Sequence, residues 1–369
     1  TKLFHLLKTA RPLPVDEFFP LTYPFSPTDH VFTDARVVVR EDEPSSIIAF
    51  TLDSQNYREQ LANSRQSRSD APLTELRHAD GSHYLYEFDT ETIKLWCKIF
   101  FAEQFDALRH MCGCAEQFVQ SLSRCFKWDS RGGKSGSAFL KTRDDRFVVK
   151  QLSRTELDGF SKFAPQYFTY LAECQSALRP TALTKIFGYF RIGFKNTHTG
   201  RSFKMDFMVM ENLLYGRSVD RIFDLKGSTR HRFVQESGQP HEVLQDENLM
   251  QRAQSSPLLV REHSKRILRT ALHNDSLFLT EMNVMDYSLI MALDTSRNKM
   301  VIGIIDYLRT YTWDKRVESF VKETAILGGG GKGEPTIITP RQYRMRFLTF
   351  LDRNILMTPD PWIQSGWVQ

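Results

Sequence analysis

Three groups of residues have types and spacings suited to handling phosphate. The first lies in residues 132–150, GGKSGSAFLKTRDDRFVVK. Gly132, Gly133 and Gly136 bracket Lys134 and Ser135, an apolar run starts at Ala138, Asp144 and Asp145 mark a turn, and a second apolar run ends on Lys150. Glycines let successive backbone N–H groups approach an anion closely. A lysine two strands on adds a point charge to the same phosphates. A plain glycine-rich hairpin with a surface lysine would look the same, and this stretch alone does not separate the two readings. The second group is Asp286 and Asp306. Strands over 287–293 and 300–305, joined by a polar turn at 294–299, would pair antiparallel with Asp286 beside Tyr307. Both aspartates then sit at the open end of one hairpin, where a metal-binding and a base-like carboxylate must meet for phosphoryl transfer. A single Asp next to an apolar strand is more often a turn residue. Two at one hairpin end, in a chain with a glycine loop and a strand lysine, favour chemistry. The third group, Asp224, Lys226 and Arg232 of FDLKGSTRHR (223–232), reads either as a helix cap or as basic side chains facing a phosphate.

Rival chemistries are weaker. A P-loop needs a glycine five positions before the glycine of its GK[ST] and a helix after it. Here that position is Trp128, and a strand-like run follows. The spacing is also not the G-x-G-x-x-G of protein kinases or dinucleotide binders. What remains is a kinase-like cover over ATP. The ten histidines show no H-E-x-x-H pattern, and the five cysteines show no C-x-x-C, so the cysteines read as reduced thiols of a cytosolic compartment with no zinc site. Lys315, Arg316 and Lys322, at helical spacing, form either a solvated face or a membrane-facing one.

The elements that must position these residues read as a sheet-rich first half and a more helical second half. Residues 1–35 are rich in Pro and Phe and read as an extended segment laid on a surface. A short strand is expected at 35–40, a helix over 47–61, a polar linker at 63–70, and strands at 83–88 and 92–101. Helices are expected at 102–111, 115–121 and 156–175, with strands at 186–194 and 203–210. Residues 208–214 (MVMENLL) leave the last strand as a hinge between lobes. In the second half, one long helix is expected over 258–281 and a final one over 340–354. Residues 322–340, with Lys332 among glycines, read as a mobile loop. The domain reading is an N-terminal extension and linker (1–70), an N-lobe (71–213) and a C-lobe (214–369). A length of 369 residues suits two lobes, and 41% apolar content with 28 Phe supplies their cores. The net charge of +5 fits an anionic partner such as a membrane surface or phosphorylated substrate without demanding one, and no nucleic acid is expected among the partners. No run is long enough to span a membrane and no signal peptide is visible. The start at Thr1 reads as a piece of a larger protein.

Taken in order, these stretches resemble the phosphatidylinositol phosphate kinase family. The matching pieces are GGKSGSAF (132–139), FVVK (147–150), MENLLYGR (210–217), FDLKGSTRHR (223–232), MDYSLIM (285–291), IGIIDYLRTYTWDKRVE (302–318) and PTIITPRQYRMRF (335–347). The type III class, the phosphatidylinositol 3-phosphate 5-kinases, is resembled more closely through EPSSIIAF (43–50), RPTALTKIFGYFRIG (179–193), LRTALHNDSLFL (268–279) and LGGGGKGEPTIITP (327–340). The likeness runs from about Ala35 onward.

The resemblance implies a two-lobed α+β fold of antiparallel sheets with flanking helices, distantly related to protein kinases. It implies transfer of the ATP γ-phosphate to the 5-hydroxyl of phosphatidylinositol 3-phosphate, giving the 3,5-bisphosphate. By matching positions, Lys150 would hold the ATP phosphates under the loop of Gly132, Gly133, Lys134, Ser135 and Gly136, and Glu211 and Leu213 would meet the nucleotide. Lys226 would bind the transferring or substrate phosphate, supported by Asp224 and Arg232. Asp286 would orient or deprotonate the hydroxyl and Asp306 would hold Mg2+. Lys322 and Lys332, in a loop that meets the membrane, would select the lipid headgroup. The HRD and DFG of protein kinases are replaced by MDY and IDY, and the lysine pair of other classes is absent from the selecting loop, which favours the 3-phosphate. The implied partners are ATP, a phosphoinositide in a membrane surface, and regulatory scaffold proteins reached through a longer chain. The implied location is the cytosolic face of endosomal or vacuolar membranes. Two alternatives are a kinase for another inositide, a soluble inositol phosphate or a protein, and an inactive lipid-binding scaffold. The last would need none of Lys150, Asp286 and Asp306.

Overall fold

A computed structural model of the chain describes residues 25–33, 35–68, 72–77, 81–128, 138–239, 242–294, 296–308 and 339–360. The extended segment expected over residues 1–35 lies outside them up to residue 24. By contacts, the described residues form two compact units. One runs to Ala177 and resumes over Thr184–Ser218; the other takes Leu178–Leu183 and the chain from Val219.

The first unit is built on a seven-stranded antiparallel sheet. Ahead of it come the short pair β1 (Asp29–His30) and β2 (Val39–Arg40), then helices α1 (Ser45–Asp53), α2 (Gln55–Arg68) and α3 (Pro72–Arg77). Next follow β3 (Tyr84–Asp89), β4 (Ile93–Ile99), α4 (Ala102–Met111), α5 (Ala115–Leu122), β5 (Cys125–Trp128), β6 (Phe139–Thr142), β7 (Phe147–Gln151), α6 (Arg154–Ser176), β8 (Ile186–Asn196) and β9 (Ser202–Glu211). The order is β3-β4-β8-β9-β7-β6-β5. Period-two burial explains β4, where Ile93, Leu95, Cys97 and Ile99 point inward. The central β8 is buried on both faces, and its run IFGYFRIGF is correspondingly apolar.

Three local expectations differ from the structure. The strand at 35–40 shrinks to β2. The single helix over 47–61 is two, broken at Ser54, whose backbone is extended (ψ 145°). The Ser54 hydroxyl donates to the Thr51 carbonyl at 2.7 Å and accepts the Tyr57 N–H at 3.4 Å, so it ends one helix and starts the next. The linker expected from Asn63 is helical as far as Arg68. Tertiary contacts override its composition there: Ser64 donates to Glu103 at 2.6 Å and Arg65 is ion-paired with Asp106.

The second unit comprises β10 (Arg221–Leu225), β11 (Val243–Leu244), α7 (Asp246–Ser255), β12 (Leu258–Arg261), α8 (Glu262–Glu281), β13 (Ser288–Asp294), β14 (Lys299–Ile305), α9 (Pro340–Asn354) and β15 (Ile355–Thr358). Its main sheet has the order β11-β10-β13-β14, and a separate parallel pair joins β12 to β15. The long helix expected over 258–281 therefore starts at Glu262, because Leu258–Arg261 pairs with Ile355–Thr358. The segment Leu178–Leu183 lies along β14. The Ile304 N–H donates to the Ala182 carbonyl at 2.6 Å. Asp275 of α8, fully buried, accepts from the Thr181 hydroxyl at 2.8 Å and the Ala182 N–H at 2.6 Å. No helix among the described residues is long and apolar enough to cross a membrane.

Candidate active site

In the first unit, Lys150 stands near the end of β7, a strand whose first four residues are all buried. The residue is 4% exposed, and its ammonium lies 3.1 Å from Oε1 of Glu156. Glu156 is the third residue of α6. Its Oε2 accepts the N–H of Ser153 at 2.9 Å and the Ser153 hydroxyl at 3.0 Å, while Ser153 Oγ accepts the Glu156 N–H at 3.3 Å. This reciprocal cap fixes the helix start and the carboxylate together. Burial raises the Glu156 pKa, but the Lys150 charge and the Ser153 hydrogen bonds outweigh it, and the net shift is downward. A strand lysine ion-paired with a helix glutamate is the arrangement kinases require for holding ATP phosphates. Glu156 was not among the residues expected from the sequence. Its signal was there in Ser153-x-x-Glu156 ahead of an apolar run.

The glycine loop, with Gly132, Gly133, Lys134, Ser135 and Gly136, lies outside the described residues. Its flanking strands pair as expected, with Phe139 opposite Lys150. Glu211 ends β9 and its carboxylate accepts the Lys185 N–H at 2.6 Å. Leu213 sits half-buried in the turn that follows, and its neighbour Asn212 donates to the Asp145 carbonyl at 2.7 Å, tying that turn to the β6–β7 connection.

In the second unit, β13 and β14 pair in the expected register. Their last pair is Ser288 with Ile305, which carries Asp286 opposite Tyr307. Asp286 and Asp306 are both exposed and both left-handed, with φ of 64° and 59°. Aspartate tolerates that conformation better than most residues, and such strain gathers where a site over-determines it. Each is followed by a buried tyrosine, Tyr287 or Tyr307. Tyr287 packs edge-on to Tyr343 and Phe347 of α9 at 4.8 and 5.1 Å, and the Tyr343 hydroxyl donates to the Tyr287 carbonyl. Asp286 is thus an exposed tip on a fixed aromatic base, and Asp306 an exposed residue ahead of a buried tyrosine.

Lys226 follows β10, and its ammonium donates to the Asp286 carbonyl at 2.8 Å. Asp224 is one of two anions on Arg232: the guanidinium lies 3.0 Å from Asp224 and 2.9 Å from Asp246. Desolvation lowers the Arg232 pKa, the two aspartates raise it, and the net shift is upward. The structure therefore brings Asp224, Lys226, Arg232 and Asp286 together and adds Asp246, which sequence reasoning passed over inside a charged stretch.

Among the described residues no group of three or more His, Cys, Asp or Glu side chains is arranged to hold a metal ion. Mg2+ needs no such group, since it takes one or two carboxylates together with substrate phosphates and water. The exposed Asp306 carboxylate, on the hairpin end that also carries Asp286, is a donor of that kind. Lys322 and Lys332 lie outside the described residues, as does the loop expected to carry them up to residue 338.

A family model described as phosphatidylinositol-4-phosphate 5-kinase matches residues 121–300 and 293–354. The 1-phosphatidylinositol 3-phosphate 5-kinase of Saccharomyces cerevisiae is 40% identical over 434 residues, covering 94% of this chain and 19% of that protein. The human protein of the same description is 44% identical over 306 residues, covering 82% of this chain and 14% of its own length. A Drosophila melanogaster relative is 49% identical over 245 residues, covering 66% and 13%. This chain spans less than a fifth of the length of each of these relatives.

Proposed function

The chain belongs to the phosphatidylinositol-4-phosphate 5-kinase family, and from that membership we propose that it transfers the ATP γ-phosphate to the 5-hydroxyl of phosphatidylinositol 3-phosphate, giving phosphatidylinositol 3,5-bisphosphate. The observation that carries the reading is the hairpin end of the second unit, where the Lys226 ammonium meets the Asp286 carbonyl beside two exposed, left-handed aspartates. The choice of the 3-phosphate lipid follows the relatives' descriptions as 1-phosphatidylinositol 3-phosphate 5-kinases.

In this reading Lys150, oriented by Glu156, holds the ATP phosphates, with the 132–136 loop covering them and Glu211 and Leu213 meeting the nucleotide. Asp286 accepts the hydrogen bond of the attacking 5-hydroxyl and takes up its proton as the new P–O bond forms and the bond from the γ-phosphorus to the bridging oxygen breaks, releasing ADP. Lys226, anchored beside it, meets the negative charge of the transferring or substrate phosphate, and the Asp224–Arg232 pair supports the strand that leads into it. Mg2+, held by Asp306, would neutralise charge on the phosphates. Lys322 and Lys332 would approach the anionic lipid surface. The acceptor is a membrane lipid, so the work is done at a bilayer, on the cytosolic face of endosomal or vacuolar membranes, with scaffold proteins engaged through the remainder of a longer chain.

The test is a radiolabelled ATP assay on vesicles carrying one monophosphorylated inositide at a time, with the product isomer identified by chromatography. Phosphatidylinositol 3-phosphate is expected to give the 3,5-bisphosphate. Preference for another inositide, or equal turnover of a soluble headgroup, would overturn the reading.

A further inference from the structure

Resting on that proposed chemistry, we propose that Asp246 is a positioning residue: its carboxylate fills an anion nest made by the backbone N–H groups of Lys226, Gly227 and Ser228, and so aims the Lys226 ammonium at Asp286. Asp246 opens α7 and is fully buried. Its Oδ1 accepts the N–H groups of Lys226 at 3.0 Å, Gly227 at 2.7 Å and Ser228 at 3.2 Å. Its Oδ2 accepts from Lys226 N–H at 3.2 Å and from Arg232 Nε at 2.9 Å.

Successive N–H groups converging on one point form the concavity that commonly binds a phosphate. Here the chain supplies its own anion, and two consequences follow. The backbone of the lysine loop is closed to phosphate, so recognition falls on the Lys226 side chain. The loop also lies tightly against the backbone of α9. Gly227 has φ of 73°, and a Cβ there would stand 2.7 Å from the Phe347 Cα. Between these two constraints the Lys226 backbone has one place to be, and its side chain leaves it to end 2.8 Å from the Asp286 carbonyl. A buried carboxylate carries a large desolvation cost, which several well-aimed donors must offset. A loop needing only closure has cheaper solutions in a neutral side chain.

The experiment compares wild type with Asp246→Asn, which keeps the volume, and Asp246→Ala, which leaves a void open to a small anion. Acylation of Lys226 by an amine-reactive reagent is followed by mass spectrometry. In parallel, kcat and the ATP KM are measured on phosphatidylinositol 3-phosphate vesicles, with and without sodium formate. In both variants Lys226 is expected to be acylated several-fold faster, and kcat to fall about 10–100-fold with the ATP KM unchanged, the size that a small misplacement of a reacting group produces. Formate should restore part of the kcat of the Ala variant and slow its Lys226 acylation, with no effect on wild type. Wild-type acylation and kcat in the Asn variant would overturn the proposal. So would a kcat loss that tracks the melting temperature without faster acylation, which is the mark of a merely structural acid. The acylation readout is independent of substrate. If the wild-type chain is inactive on this lipid yet acylation changes as expected, the substrate assignment fails and the positioning role stands. If the Ala variant does not fold, acylation of the Asn variant decides.

Discussion

Lys150 and Lys226 are both held by hydrogen bonds, yet their settings differ in kind. Lys150 is buried in a sheet and paired with a carboxylate, so its charge is balanced before any ligand arrives. Lys226 is half-buried on a loop, and its ammonium meets a neutral carbonyl; no carboxylate pairs with it among the described residues. An ion pair supplies orientation and pays for burial, whereas a carbonyl supplies orientation and leaves the full charge for an incoming anion. The first arrangement suits a permanent clamp on a cosubstrate. The second suits a group that must respond when charge develops during transfer.

The largest expected effects come from deleting the charges themselves. Lys150→Ala and Asp306→Asn should each lower kcat by about 10³-fold or more, the scale for loss of a preorganised electrostatic group. The contrast sharpens with the metal: raising Mg2+ should recover part of the Asp306→Asn loss, since an amide is a poor ligand for a hard cation, and none of the Lys150→Ala loss. Equal responses would erase the distinction between a lysine clamp on phosphates and a carboxylate that holds the metal. Measured turnover against Mg2+ concentration decides.

Next in size is Glu156→Gln, which leaves Lys150 charged but without its counter-ion. We expect kcat to fall about tenfold to a hundredfold, as for partners that orient a functional group, and stability to fall by about 3–5 kcal/mol, because a buried charge loses its partner. The same change bears on acid stability. The folded-state pKa of Glu156 is depressed below the ordinary carboxylate value, so the group contributes stability above that ordinary value and loses it as pH falls through the folded pKa. Thermal melts from neutral to acid pH should therefore show a shallower acid decline for Glu156→Gln than for wild type.

The smallest effects test the two helix starts. Ser153 with Glu156 caps α6, and Thr339 with Gln342 caps α9 by the same reciprocal pattern. Ser153→Ala and Thr339→Ala should each cost about 1 kcal/mol of stability, measured by denaturant unfolding. Only the first should slow turnover, because only the first cap holds the carboxylate on Lys150. Matching losses of turnover would show that the cap on α6 has no special tie to the lysine.

Much of this arrangement was legible where the information is local. The run FVVK gave a buried strand carrying Lys150, and the polar turn after Leu293 set a register that leaves Asp286 opposite Tyr307. Helix α4 has the expected bounds, Ala102–Met111. Illegible were features decided by distant partners. Leu258–Arg261 has helical spacing but is extended by pairing with Ile355–Thr358. Residues 63–68 are polar enough for a linker but are held helical by Glu103 and Asp106. Asp246 sits 18–20 residues from the N–H groups it accepts, inside a stretch with no pattern of its own. Glu156 was legible and overlooked, because its capping motif is ordinarily read as helix punctuation and not as chemistry.

The parallel pairing of β12 with β15 has a consequence in time. The strand Leu258–Arg261 waits for a partner that is made nearly a hundred residues later. At translation rates of about 5–20 residues per second, that is a delay of roughly 5–20 s. Through this interval Leu259 has no strand beside it, and its side chain is more than half exposed even in the finished fold. The residues of the first unit, through Ser218, have all been made by then. The nascent second unit therefore passes through a stage with an open strand edge, and its yield during synthesis should depend on chaperones that shield such edges.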